Sequence, residues 1–362
     1  MTEAEFVQRS VEHQRGAGGF CLDEAARALA EEAASGAALS WDARAGLPRG
    51  FNGWAEGPEG AGFVQVGGSS TEEKCTRTLE ELRAAGLDFD LVVDMQDRRV
   101  RTLRMADRAP FPTVSFNRLV GYSDRILWPL PLYHDLGSDG FLGNIDPKAV
   151  AWRDKDSRIV WRGIPGGRSS PKGKVHREKL RLFVVLKRHA AGEIDTAEAL
   201  ALISTFPRHR FVERMQNDPR ADVGFISRKG IKLPEQPLLA HLERPRISRE
   251  AMQRSKYLAV VRGNDLASSF YWTMNSGSLG LVMDSPFESF GSCHFKPWEH
   301  YVPFREDMSD FDAAYAWCEA HQPECEAMSQ RAAEVCRLLA RADLRQEIAR
   351  GVVAEVRRGL RA

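Results

Sequence analysis

The sequence predicts an α/β protein built from two Rossmann-like domains. Three recurring features carry that expectation: short apolar, β-rich runs bounded by charged residues, glycine-containing turns after them, and amphipathic stretches between one run and the next. All three occur between Ser255 and Phe304. Tyr257–Val261 is an apolar run suited to a strand buried on both faces. Gly263 permits a tight turn, Asn264 or Asp265 can cap a helix over Leu266–Met274, and Asn275–Gly277 end it. Leu279–Met283 is a second apolar strand, so the unit reads as a βαβ crossover with parallel strands.

A chain of 362 residues, 43% hydrophobic and 28% charged, can build two full cores. Its net charge of +1 provides no bulk attraction to nucleic acid, which is therefore not an expected partner. The start, MTEAEFVQRSVEHQRG, lacks the apolar centre of a signal peptide, and no run approaches the length of a membrane span. A cytoplasmic protein without a transmembrane segment is expected, with peripheral contact at the inner face of the membrane left open. Cys21, Cys75, Cys293, Cys318, Cys325 and Cys336 are scattered without metal-ligand spacing and read as reduced thiols, so no metal is expected.

In chain order, residues 1–64 read as irregular apart from an Ala-rich helix over Asp23–Ser35, with Phe51, Trp54 and Phe63 anchoring a long loop. Thr71–Ala85 is an amphipathic helix that Gly86 stops. Phe89–Met95 and Pro112–Phe116 are strands, and Asp97 lies just past the carboxyl end of the first. A carboxylate there is placed for chemistry or caps its loop. Asp88 and Asp90 form a D-x-D ahead of the strand, where metal binding is the weaker reading. Ile126–Leu132 carries two prolines and should be extended. Asp146–Asp156 links two domains, 1–150 and 151–340, followed by a C-terminal helical segment, 341–362.

Arg158–Gly163 is the next strand, and the glycine-rich turn after it leads to a basic helix start with Arg168, Lys172, Lys174, His176 and Arg177. Its spacing is not that of a P-loop, and Val175 stands where a magnesium-binding hydroxyl would be. The cluster suits a diphosphate or is solvated basic surface. Arg262, Gly263, Asn264, Asp265, Leu266, Ala267, Ser268 and Ser269 form a second candidate phosphate cradle at a strand's carboxyl end, or an ordinary turn. The dinucleotide fingerprint G-x-G-x-x-G is absent, which weighs against a nicotinamide. Asp222–Phe225 is a short strand, and Ser309–Glu319, Pro323–Arg341 and Asp343–Leu360 are helices by periodicity and cap.

The segments KYLAVVRG, SGSLGLVMDS and KPWEHYVPFREDMSDF resemble the C-terminal signature of glycosyltransferase family 90, the last being the most specific of the three. That family includes lipopolysaccharide A proteins, capsule-associated xylosyltransferases and Rumi-type protein O-glucosyltransferases; the scattered cysteines suggest a bacterial-type member. The resemblance covers roughly Phe89–Trp317. It implies the GT-B arrangement, two Rossmann-like domains facing a cleft, in which a final helix packs back on the first domain. It further implies Asp97 as catalytic base, Arg162, Gly163 and Arg177 at the donor, and Trp128 on the acceptor side, where a packed aromatic is the alternative. The implied activity is inverting, cofactor-free and metal-independent. A sugar, glucose, xylose or galactose, moves from a UDP-sugar to a hydroxyl of a cell-envelope glycan or glycolipid such as lipopolysaccharide or capsule. Ser269 stands near a position where eukaryotic members carry an arginine. That departure motivates a second reading, a catalytically weak nucleotide-sugar-binding scaffold of envelope polysaccharide assembly. A third is an unrelated doubly wound enzyme with another phosphate ligand.

Overall fold

The computed structural model describes residues 1–361 except 17, 35–36, 50–53, 57–62, 66–69, 98–108, 168–180 and 228–231. The chain forms two compact units: Met1–Phe141 with Pro286–His294 and Arg337–Ala362, and Leu142–Ser285 with Phe295–Cys336.

The second unit holds a five-stranded, wholly parallel sheet. Its strands, from edge to edge, are Ala221–Phe225, Asp156–Gly163, Ser255–Val260, Leu279–Met283 and Val302–Phe304. Numbered along this unit, the order is 2-1-3-4-5, so the winding direction reverses between Asp156–Gly163 and Ser255–Val260. Parallel strands need cover on both faces, and the apolar runs are explained by it: Tyr257, Leu258, Leu279 and Val302 are fully buried. Helices Pro207–Met215 and Phe311–Ala320 bring Phe211 and Phe311 against Phe304, with ring centroids 6.1 and 5.0 Å away.

One expected helix is mostly absent. Residues 264–269 form bends and a turn, and the helix runs only over Phe270–Met274, with Ser269 as a cap that makes no side-chain bond. Asn264, Asp265, Ser268 and Ser269 can all bond locally to backbone, which competes with helical propagation.

The first unit is α/β but not all parallel. Leu91–Val93, Thr113–Ser115 and Ile126–Leu127 pair in parallel, while Leu39–Asp42 and Leu47–Arg49 add an antiparallel hairpin along one side. That hairpin turns at Gly46, whose φ of 67° suits glycine. The N-terminal stretch, expected to be irregular, opens with a helix over Glu3–Arg15. Thr2 accepts from the Glu5 N–H and Glu5 from the Thr2 N–H, a reciprocal capping box. The helix buries Phe6, which stacks on His294 at 3.9 Å, and Ser10, whose Oγ lies 2.7 Å from His294 Nε2. Helix Ala342–Arg358 packs along it. Gly351 serves that approach, since a Cβ there would sit 2.7 Å from Val11 Cγ2. The helices Glu24–Ala33 and Ser70–Ala84 match their expected ranges to within two residues. All six cysteines are free thiols, and five are buried. Among the described residues no helix is long and apolar enough to cross a membrane.

Candidate functional site

In a sheet wound 2-1-3-4-5, ligands bind beyond the carboxyl ends of the strands where the winding reverses. In the second unit that point lies between the loops after Gly163 and after Val260, and the guanidinium of Arg208 occupies it. Arg208 Nη1 donates to the Ile164 carbonyl at 3.2 Å and Nε to the Val261 carbonyl at 3.4 Å, one from each loop. Trp161 lies beneath, its ring centroid 6.0 Å from Cζ, itself held edge-on by Phe211 and Phe225 at 6.0 and 5.8 Å. Gly263 closes the other side. A Cβ there would fall 2.9 Å from Arg208 Nη2 and 3.0 Å from Cζ. Gly263 therefore makes room for a cation; it does not supply a positive-φ turn. Gly167, at φ +132°, brings its own loop within 3.2 Å of the Gly263 carbonyl, measured from where its Cβ would stand.

Arg208 is bonded to two carbonyls and, among the described residues, to no carboxylate within ion-pair reach. Burial draws its guanidinium down to about 10, against which the nearby Asp265 carboxylate acts to hold the charge. It also sits in the first turn of the nine-residue helix Pro207–Met215, where the helix dipole disfavours a cation. A preorganised guanidinium with an unused edge, at a helix start and beside two strand ends, is chemically a receptor for a phosphate-type anion.

The other predicted donor residues divide. Arg262 is 3% exposed, and its guanidinium is committed to Glu306, with Nε 2.8 Å from Oε2 and a second bond from Nη2. Arg162 is likewise tied, through Nη2 to Asp222 Oδ1 at 2.7 Å and through Nε and Nη1 to the carbonyls of Pro245, Trp161 and Asp222. These two arginines pin strand ends together in the described structure. Gly163 is needed for packing, because a Cβ would lie 2.4 Å from the Trp161 ring. Asn264 and Leu266 are half-buried, Asp265 and Ala267 buried, Ser269 half-buried and Ser268 exposed, all in the loop ahead of Phe270. Arg168 and Arg177 lie outside the described residues. Glu306→Ala would remove the carboxylate that the buried Arg262 holds through two bonds, and a stability loss of about 3 kcal/mol is expected in urea denaturation.

In the first unit Asp97 is exposed, four residues past the strand Leu91–Val93, while Asp94 is fully buried and its carboxylate accepts from the Gln96 N–H. The D-x-D carboxylates are held by cations of this unit, Asp88 by Arg357 at 2.7 Å and Asp90 by Arg27. Trp128 does not present a face to a sugar. It is fully buried, and its Nε1 donates to Glu81 Oε2 at 2.7 Å. Of the two readings, candidate acceptor-side residue and packed aromatic, the described structure has the packed aromatic with a satisfied indole.

Burial pushes the Glu81 carboxyl up to about 7, with the Asp135 charge adding to it and the Trp128 indole opposing it. A folded-state value above the unfolded one means that the folded protein holds the extra proton, so stability present at low pH is lost as pH rises through 7. Glu81→Gln keeps an acceptor for Trp128 and does not titrate. Its stability relative to wild type should rise by about 3 kcal/mol between pH 4.5 and 8 in denaturation curves.

Comparison with known proteins bears on the second unit above all. Residues 239–345 match the model of glycosyl transferase family 90. The matched segment takes in the strands Ser255–Val260, Leu279–Met283 and Val302–Phe304 and the loop with Gly263. The O-glucosyltransferase LpsA of Dichelobacter nodosus is 29% identical over 126 residues, 34% of this chain and 37% of that protein. Uncharacterized protein 027R of Frog virus 3 is 30% identical over 184 residues, 49% of this chain and 17% of the other. Human protein O-glucosyltransferase 3 is 29% identical over 75 residues, 21% and 15% respectively. The chain thus spans little more than a third, or less, of the length of the curated relatives it matches. Arg208 lies upstream of the matched segment and was missed in the sequence. The available signal was an arginine directly after Pro207, in a first helical turn where an acidic residue is the favoured choice.

Proposed function

We propose that the chain is an inverting, metal-independent glycosyltransferase that moves a sugar from a UDP-sugar to a hydroxyl of a cell-envelope glycan or glycolipid. The observation that carries this reading is Arg208, a cation without a carboxylate partner among the described residues at the switch point of the unit that holds most of the residues matching the family-90 model. The names of two relatives, both O-glucosyltransferases, favour glucose as the sugar over xylose or galactose.

In the proposed reaction the Arg208 guanidinium neutralises the donor's diphosphate. Asp97 takes the proton of the acceptor hydroxyl as its oxygen forms a bond to the anomeric carbon, and the bond from that carbon to the β-phosphate oxygen breaks on the opposite face. UDP leaves with the electron pair, and the configuration inverts. A GT-B fold is part of this proposal. Fixed guanidinium and backbone dipoles supply the stabilisation that a metal supplies elsewhere, so turnover should be insensitive to chelator.

The test is incubation with UDP-glucose, UDP-xylose and UDP-galactose, each with and without chelator, following UDP release and sugar incorporation into envelope glycolipid. Release from one donor that survives chelation supports the proposal, and chelator-sensitive release overturns its metal-independent part. Arg262 committed to Glu306 and Ser269 in the loop favour a second reading, a nucleotide-sugar-binding scaffold, which predicts UDP binding and no turnover with any donor.

A further inference from the structure

Helix Leu182–Ala190 of the second unit buries one stripe, Leu182 at 4% and Val185 at 0% exposure, and turns its other side outward. Phe183, 66% exposed, is the most exposed large apolar side chain among the described residues, and Val184 beside it is 42% exposed. The adjoining helix Thr196–Ile203 adds Leu200 at 45%. Lys187 follows Phe183 by four residues and so shares its face. Arg188 is held by Glu193 and Glu198 at 3.6 and 4.0 Å, whereas Arg181 and Lys187 are exposed with no carboxylate partner among the described residues. No acidic residue occurs from 181 to 192 in a chain whose net charge is only +1.

A protruding phenylalanine and valine between exposed cations, without an acid among them, is the chemistry of a surface that enters the boundary of an anionic bilayer. A stable protein partner would call for roughly 800 Å² of matching surface, built around a larger apolar centre than two helices of nine and eight residues offer. We propose that Arg181, Phe183, Val184 and Lys187 dock the second unit on anionic phospholipid, with Phe183 and Val184 entering the headgroup–acyl boundary and the two cations facing lipid phosphates. This inference goes beyond the glycosyltransferase reading and does not depend on it.

The test is co-sedimentation of the full chain with vesicles of phosphatidylcholine alone or mixed with phosphatidylglycerol, at low and high salt. Wild type should sediment with the anionic vesicles alone and be released by salt. Phe183→Ser with Val184→Ser should lower the bound fraction about tenfold, and Arg181→Glu with Lys187→Glu should abolish it. Both double variants should melt as wild type does and bind UDP equally, so a failure here stays separate from a failure of donor binding. Absence of wild-type binding, equal binding to neutral vesicles, or undiminished binding of the Phe183/Val184 variant would overturn the proposal. So would a concentration-dependent dimer, seen by light scattering without vesicles and dissolved by the same variant, since the face would then be a self-association surface.

Discussion

Arg208→Ala should reduce UDP affinity at least about 100-fold while leaving the second unit folded. The guanidinium is anchored from two loops at once, by the carbonyls of Ile164 and Val261, so that it stands ready without reorganisation when the anion arrives. Removing it takes away a charge-assisted, two-pronged contact and leaves the diphosphate facing backbone dipoles alone. Arg208→Lys should recover only part of the loss, because an ammonium cannot hold both carbonyls and still present a planar edge. Gly263→Ala gives an independent check. Its methyl would lie 2.9 to 3.0 Å from the guanidinium, so Arg208 must shift and UDP binding should weaken although no charge is lost. Calorimetry with UDP, run with and without chelator beside a thermal melt, reads all three variants. Wild-type affinity in Arg208→Ala would remove the anion site from this strand end.

Why this arginine was not visible in the sequence, while the sheet around it was, follows from where the information lies. Leu279–Met283 was legible to the residue, because a strand covered on both faces must be apolar throughout and a run of five such residues has few other uses. Thr113–Ser115 and Ala221–Phe225 were also legible, to within two residues, although their runs are less apolar. Partnerships between distant side chains are a different matter. Arg162, Arg208 and Arg262 look alike in sequence, each near a glycine or proline at the edge of an apolar run. Asp222, 60 residues on, and Glu306, 44 residues on, quench two of them, and only the tertiary fold says which arginine keeps its charge available. Trp128 stayed open between two readings for the same reason, since the carboxylate that satisfies its indole lies 47 residues earlier. The helix Glu3–Arg15 is a different kind of miss: Thr2 and Glu5 spell its capping box, but its apolar residues are sparse enough that the stretch passes for loop.

Asp97→Asn should abolish transfer, by about 10²- to 10⁴-fold in kcat, with UDP affinity unchanged. The proposed role requires a proton acceptor and nothing else of this side chain, and the amide conserves its size and exposure while removing basicity. Asp97 is exposed at the end of its strand, so the substitution asks nothing of the core, whereas Asp94, fully buried three residues earlier, is part of the core and makes a poor comparison. A control at the D-x-D separates base from metal ligand. Asp88→Asn removes a carboxylate that holds Arg357 at 48% and 59% side-chain exposure, a surface pair whose loss should leave kcat within about twofold. If Asp97→Asn turns over normally, the base lies elsewhere. If Asp88→Asn falls with it and added divalent metal restores the loss, the D-x-D binds metal during turnover and the metal-independent mechanism is wrong. Loss confined to Asp97, with binding intact, is the pattern that a single general base predicts.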